Sequence, residues 1–262
     1  MDFYILGPLE IAAPGSVPQS PGALKQRALL AMLCLSPGRT VSTRQLTEAL
    51  WPDGPPRTAG TALQVYVSRL RKFIAEIGGD PLTLATRAPG YLFDLRQQHT
   101  LDLDRFESAV AEARRLSASG RTEEASDVLA AGIALWRGPA LADVRTLPVL
   151  DGLGRQLDEK RTSAYELRVE IELRLGRHAE MISELYGLLT DRPLWENLHF
   201  YLMVALYRSG RTADALGVYN TLRKNLVEGL GMEPSSRLRQ TQHAVLARES
   251  WLEDVSALPM AC

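Results

Sequence analysis

The chain has 262 residues, 45% of them hydrophobic and 23% charged, which suits a folded globular protein of two domains. No stretch approaches the roughly 20 apolar residues of a membrane helix, and Met1-Asp2-Phe3-Tyr4 lacks the basic start of a secretory signal, so a cytoplasmic protein is expected. The net charge of −1 hides an asymmetry, because residues 1–98 hold 10 basic and 7 acidic side chains and the remainder 20 and 24. Where the basic residues cluster therefore says more about nucleic acid than their total does. Of the two cysteines, Cys34 sits in an apolar run as a buried small hydrophobe and Cys262 is terminal, so no structural disulfide is expected.

Residues 3–11 read as short strand material broken at Gly7-Pro8, followed by a Pro/Gly/Ser-rich loop over 13–22. Residues 23–35 predict a helix with Leu24, Ala28, Ala31 and Leu35 on one face, stopped by Ser36-Pro37-Gly38. Ser42 or Thr43 can cap a short second helix running to about Trp51, and Pro52-Asp53-Gly54-Pro55-Pro56 breaks the chain after it. A third helix spans residues 58–77, with Leu63, Val67, Leu70 and Ile74 forming the buried stripe. Residues 82–86 and 91–95 then flank Arg87-Ala88-Pro89-Gly90 as a hairpin. Strand, three helices and a hairpin in that order make a winged helix-turn-helix.

From Leu101 onward the pattern is helical throughout. Gly120-Arg121, Gly176-Arg177 and Gly210-Arg211 mark three similar junctions, the last two 34 residues apart, the tetratricopeptide period. Five residues beyond each glycine stands Ala125, Met181 or Ala215, and nine beyond stands Leu129, Leu185 or Tyr219, an order that lets helix pairs interlock. The first interval is 56 residues, so the array is irregular. A last helix is expected over 238–251. The expected fold is mainly α with small β: a winged helix-turn-helix of the OmpR type over 1–98, an all-α tetratricopeptide-like repeat domain over 99–256, and a loose tail over 257–262.

With its stripe turned inward, the third helix presents Thr61, Gln64, Val65, Ser68 and Lys72, flanked by Arg69 and Arg71. Gln and Arg can form paired hydrogen bonds to a base edge, and small side chains let a helix come close in the major groove. Lys72 and one arginine would hold phosphate. A merely solvated helix face is the alternative. At the hairpin tip, Arg87 can enter a narrow minor groove or be an ordinary turn residue, and Tyr91 either touches the backbone or packs on the core. Lys25 and Arg27, at the start of the first helix, are a phosphate clamp or plain first-turn charges. Trp51 is a core anchor or an indole N–H donor to phosphate.

The four histidines (His99, His178, His199, His243) are scattered, and no His-Glu-x-x-His, Cys-x-x-Cys or Gly-x-Ser-x-Gly motif occurs. No catalytic residue, metal or cofactor is expected. The rival to a DNA-reading protein is a repeat scaffold for protein interaction with a non-reading winged helix.

The segments 24–30 (Leu-Lys-Gln-Arg-Ala-Leu-Leu), 45–51 (Gln-Leu-Thr-Glu-Ala-Leu-Trp), 63–72 (Leu-Gln-Val-Tyr-Val-Ser-Arg-Leu-Arg-Lys) and 86–91 (Thr-Arg-Ala-Pro-Gly-Tyr) resemble the Streptomyces antibiotic regulatory protein family. Its members join an OmpR-type winged helix to a bacterial transcriptional activation domain. Asp102-Leu103-Asp104-Arg105-Phe106-Glu107 resembles the start of that second domain, and Gly229-Leu230-Gly231-Met232-Glu233-Pro234-Ser235 its closing signature. The resemblance implies an activator of secondary-metabolite (antibiotic) genes. It would bind direct repeats of double-stranded DNA at the promoter −35 region, two protomers side by side, and recruit RNA polymerase through its sigma factor and α subunit. It further implies that Arg69 and Arg87 read bases, while Thr61, Gln64, Ser68, Arg71 and Lys72 touch bases or backbone. A nucleoid-associated place in the cytoplasm follows. Larger members add an ATPase domain, for which no Gly-x-x-x-x-Gly-Lys-[Ser/Thr] loop is present, and control by phosphorylation within the chain is not expected.

Overall fold

A computed structural model describes residues 1–94 and 99–254, so the tail expected over 257–262 lies outside the described residues. Two short strands open the chain. β1 (Asp2–Tyr4) pairs antiparallel with β2 (Glu10–Ala12) around Phe3 and Ile11. α1 (Leu24–Cys34) buries Ala28, Leu29, Leu30 and Ala31 in succession, together with Leu33 and Cys34, so it is apolar on nearly every side and runs through the core. β3 (Thr40–Ser42) leads directly into α2 (Thr43–Leu50), where a capping box holds the first turn. The Ser42 hydroxyl accepts from the Gln45 N–H at 3.2 Å, and the Gln45 side chain accepts from the Ser42 N–H at 3.0 Å. α3 (Ala59–Glu76) turns Leu63, Val67, Leu70 and Ile74 inward.

β4 (Leu84–Arg87) and β5 (Gly90–Phe93) form the hairpin, and β3 adds to it to give the sheet order β3-β5-β4. The close pairing depends on Gly90. A Cβ there would stand 1.9 Å from the Val41 carbonyl oxygen, so no larger residue fits without parting β3 from β5. β6 (Thr100–Leu101) lies parallel to β1, and α4 (Asp102–Ala118) begins at once. α5 (Thr122–Ile133) and α6 (Pro148–Arg174) follow. Between them residues 134–147 are not helical, contrary to the helical pattern expected from Leu101 onward. Gly138 and Leu141 take positive φ there, at 152° and 55°.

By contacts the chain divides into two compact units. The first comprises residues 1–111 and 131–162; the second comprises 112–130 and those after 162. In the first unit, the Asp102 carboxylate accepts from the N–H groups of Ile5 (2.9 Å) and Leu6 (2.9 Å). The non-helical stretch completes the arrangement. Arg137 N–H donates to the Leu6 carbonyl (2.8 Å), Leu141 N–H donates to that of Ile5 (3.0 Å), and the Asp143 carboxylate accepts from Leu9 N–H (2.9 Å). These bonds satisfy the N–H and carbonyl of both Ile5 and Leu6 and the N–H of Leu9, three residues that are fully buried. Trp136 packs edge-on against Phe106, 5.3 Å between centroids.

The second unit contains α7 (His178–Asp191), α8 (Glu196–Arg208), α9 (Thr212–Leu230) and α10 (Ser236–Ala247). The last is shorter than expected and is followed by a single 3-10 turn, Ser250–Leu252. The three Gly-Arg junctions close their helices in the same way. Each glycine is left-handed, with φ of 79°, 75° and 75° at Gly120, Gly176 and Gly210. Each following arginine N–H reaches back five residues, to the carbonyls of Leu116, Glu172 and Leu206, the pattern of a Schellman cap. Ala125, Met181 and Ala215 are buried, as are Leu129, Leu185 and Tyr219. α8 is buried from Leu198 to Leu206 and packs against α7, α9 and α10, forming the spine of this unit. Among the described residues no helix is long and apolar enough to cross a membrane.

Candidate nucleic-acid interface

The outer face of α3 is exposed at Thr61, Gln64, Val65, Ser68, Arg69 and Lys72, the side opposite the buried stripe. Thr58 precedes the helix without a side-chain cap, so the first-turn N–H groups meet no side-chain acceptor. Val65, 41% exposed, adds an apolar spot to a polar face. Arg69 carries no ion pair or hydrogen bond on its guanidinium among the described residues, and the same holds for Arg87 at the exposed end of β4, beside the hairpin turn. Lys72 lies 3.6 Å from Glu76 on open surface, a pairing weak enough to yield to phosphate.

Arg71 has a different place. Its Nε donates to the Leu84 carbonyl at 2.8 Å and a terminal nitrogen donates to the Thr86 hydroxyl at 2.9 Å. This half-buried guanidinium fastens α3 to β4, one residue from Arg87, and sets the wing beside the helix. Thr43 holds the wing from the other element: its N–H (3.1 Å) and hydroxyl (3.2 Å) both donate to the Pro89 carbonyl.

Lys25, Trp51 and Tyr66 form a stack joining α1, α2 and α3. The Lys25 Nζ sits 4.4 Å from the Trp51 ring centroid and donates to the Leu50 carbonyl at 2.6 Å, and burial lowers its pKa below the ordinary lysine value. Trp51 lies over Tyr66, 6.1 Å between centroids and 24° between planes. Arg27 is ion-paired with Asp143 at 2.6 Å and donates to the Pro21 and Gly22 carbonyls, which leaves its side chain 19% exposed. Tyr91 is 7% exposed in β5, between Val41 and Thr86. Both help to hold the first unit together.

The sequence marks Thr43 only as a possible helix cap and gives Tyr66 no separate role, because their partners, Pro89 and Trp51, are brought to them by the fold. Asp143 was assigned to the helical region. Arg57, exposed just ahead of α3, could have been found as a basic residue preceding an uncapped helix start.

Comparison with known proteins adds to this geometry. The family model for the C-terminal domain of transcriptional regulatory proteins matches residues 21–93, and that for the bacterial transcriptional activator domain matches residues 101–246. The regulatory protein DnrI of Streptomyces peucetius is 37% identical over 259 residues, covering 97% of this chain and 94% of DnrI. The transcriptional regulatory protein EmbR of Mycobacterium tuberculosis is 36% identical over 250 residues, covering 95% of this chain, which spans only 64% of EmbR. A solved structure of that EmbR, in complex with a low-affinity phosphopeptide, matches with a TM-score of 0.88 at 37% identity, over 94% of this chain and 65% of the EmbR chain. The chain belongs to the Streptomyces antibiotic regulatory protein family of transcriptional regulators, which pair an OmpR-type winged helix with a bacterial transcriptional activator domain.

Proposed function

We propose that the protein is a sequence-specific transcriptional activator whose α3 enters the major groove of double-stranded DNA while Arg87 on the wing enters the adjoining minor groove. The observation that carries this reading is the outer face of α3, where Gln64 and Arg69 stand exposed among small side chains with no internal partner for the arginine. Arg69 supplies paired hydrogen bonds to a guanine edge, Gln64 suits an adenine edge, and Val65 meets a thymine methyl. Thr61, Ser68, Lys72 and Arg57 bind phosphate or base edges. Lys25 and Trp51, stacked where α1 meets α2, hold a phosphate, and Arg71 positions the wing.

In this reading residues 1–98 read DNA and residues 99–256 form the activation domain. Two protomers bind direct repeats at the −35 region and recruit RNA polymerase through its sigma factor and α subunit. The controlled genes belong to a secondary-metabolite cluster, and the protein works in the cytoplasm at the nucleoid. Support comes from kinship with DnrI, a Streptomyces regulatory protein matched along nearly its whole length. Footprinting of the full chain on the promoters next to its own gene tests it. Protection of two spaced repeats is expected, with affinity falling steeply as salt rises through counterion release. A protein that protects no discrete sequence at any salt would instead be an interaction scaffold.

A further inference from the structure

The turn of the wing hairpin, Ala88-Pro89, stands exposed between β4 and β5, and such tips fray when nothing holds them. This one is held. The Pro89 carbonyl oxygen accepts twice from the first residue of α2, from the Thr43 N–H at 3.1 Å and from the Thr43 hydroxyl at 3.2 Å. Both lone pairs of that oxygen are thereby used.

The hydroxyl is not needed by the helix it stands on. Ser42 and Gln45 make the capping box of α2, so the helix start is satisfied without it. Thr43 is also exposed, and its side chain fills no core. What the hydroxyl fixes is the tip. Arg87 pairs with Gly90 across the hairpin, and Gly90 pairs with Ser42, the residue before Thr43. The backbone that carries Arg87 is therefore held from α2 at the turn and from α3 through Arg71, which donates to Leu84 and Thr86. A side chain that enters a narrow groove from a fixed backbone gains affinity, because the turn is ordered in folding and not on the DNA.

We propose that Thr43 is a positioning residue for minor-groove reading, its hydroxyl holding the wing turn where Arg87 can distinguish A·T from G·C pairs. This rests on the reading of Arg87 as a minor-groove contact, and Thr43 acts through that arginine.

Titration of the full chain onto three duplexes of the footprinted promoter site, at one salt concentration, tests the proposal. Two differ only under the wing, with A·T pairs in one and G·C pairs in the other, and the third is altered only under α3. The wild type should prefer the A·T duplex, and Arg87→Ala should lose that preference. Thr43→Val keeps the shape and the backbone N–H but removes the hydroxyl. It should cost about threefold or more on the A·T duplex and little on the G·C one, with discrimination under α3 unchanged. Thr43→Ser should restore the preference, and in the Arg87→Ala background Thr43→Val should change nothing further. An A·T preference that Thr43→Val leaves intact would overturn this proposal alone. Equal losses on all three duplexes would do the same, as the mark of a phosphate contact or a weakened fold. A wild type that binds the two wing duplexes alike, or an Arg87→Ala without effect, would overturn the reading of Arg87 and this proposal with it.

Discussion

Asp102 is the residue on which the first unit turns. Its carboxylate takes the N–H groups of Ile5 and Leu6 inside a core where neither could find water. Burial pushes its pKa above the usual carboxylate value, against the opposing pull of those N–H groups and of Arg137. Asp102→Ala strands two buried donors and should cost roughly 2–4 kcal/mol in urea unfolding, with Asp102→Asn costing less because one acceptor oxygen remains. Equal stability of the alanine variant and the wild type would remove this role. The sequence marks Asp102 only as the opening of a helical motif; a partner 97 residues earlier leaves no local trace. His199 sets a pH dependence in the second unit. Burial depresses its folded pKa below 6.5, while hydrogen bonding to Pro193 and the Glu196 charge oppose the shift. The neutral ring's contribution is therefore present above pH 6.5 and is lost as pH falls through the folded pKa. Between those two values the wild type should lose up to about 1.4 kcal/mol per pH unit more than His199→Gln. Parallel losses in urea titrations at descending pH would contradict it.

At the scale of elements, what could be read in the sequence was whatever is long enough to carry a period. α1, α2 and α3 lie where apolar spacing and turn residues put them, the hairpin follows with its strands at 84–87 and 90–93 because Pro81–Thr83 forms a 3-10 turn instead of strand, and the three Gly-Arg junctions end helices as their chemistry requires. β3 and β6 carry no such signal because, unlike β1 and β2, they stand in no longer apolar run, and their existence depends on pairing with β5 and β1. Residues 134–147 escaped for a similar reason: their apolar side chains resemble helix, but they serve as an irregular cover for the N-terminal segment. The candidate interface was legible on α3, where a single helix face decides it. The internal partners of Arg27, Arg71 and Tyr91 are not legible there, because they are set by neighbours in space. Gly90 tests the wing as an element. Gly90→Ala forces a methyl into the Val41 carbonyl and should cost about 2 kcal/mol or more, with loss of amide protection at Val41 and Tyr91. Retained protection there would mean that β3 and β5 can part without cost.

For the whole molecule, the contact pattern matters more than the boundary at residue 98. The first unit takes in residues 131–162, so a fragment ending at 98 lacks Asp102, Arg137, Leu141 and Asp143, the groups that satisfy residues 5–9. Fragment 1–162 should therefore melt about 5 °C or more above fragment 1–98. Identical midpoints would show that the N-terminal strands need no help from the later segment. The central claim is that α3 reads bases. It is tested most directly by comparing the dissociation constants of the wild type and Arg69→Ala on a footprinted site and on its scrambled version, at one fixed salt concentration. Arg69→Ala should lose roughly 1–3 kcal/mol on the site and almost nothing on the scrambled DNA. Equal losses on both would make Arg69 a phosphate contact, and a wild type that binds the two DNAs alike would contradict sequence reading by α3 altogether.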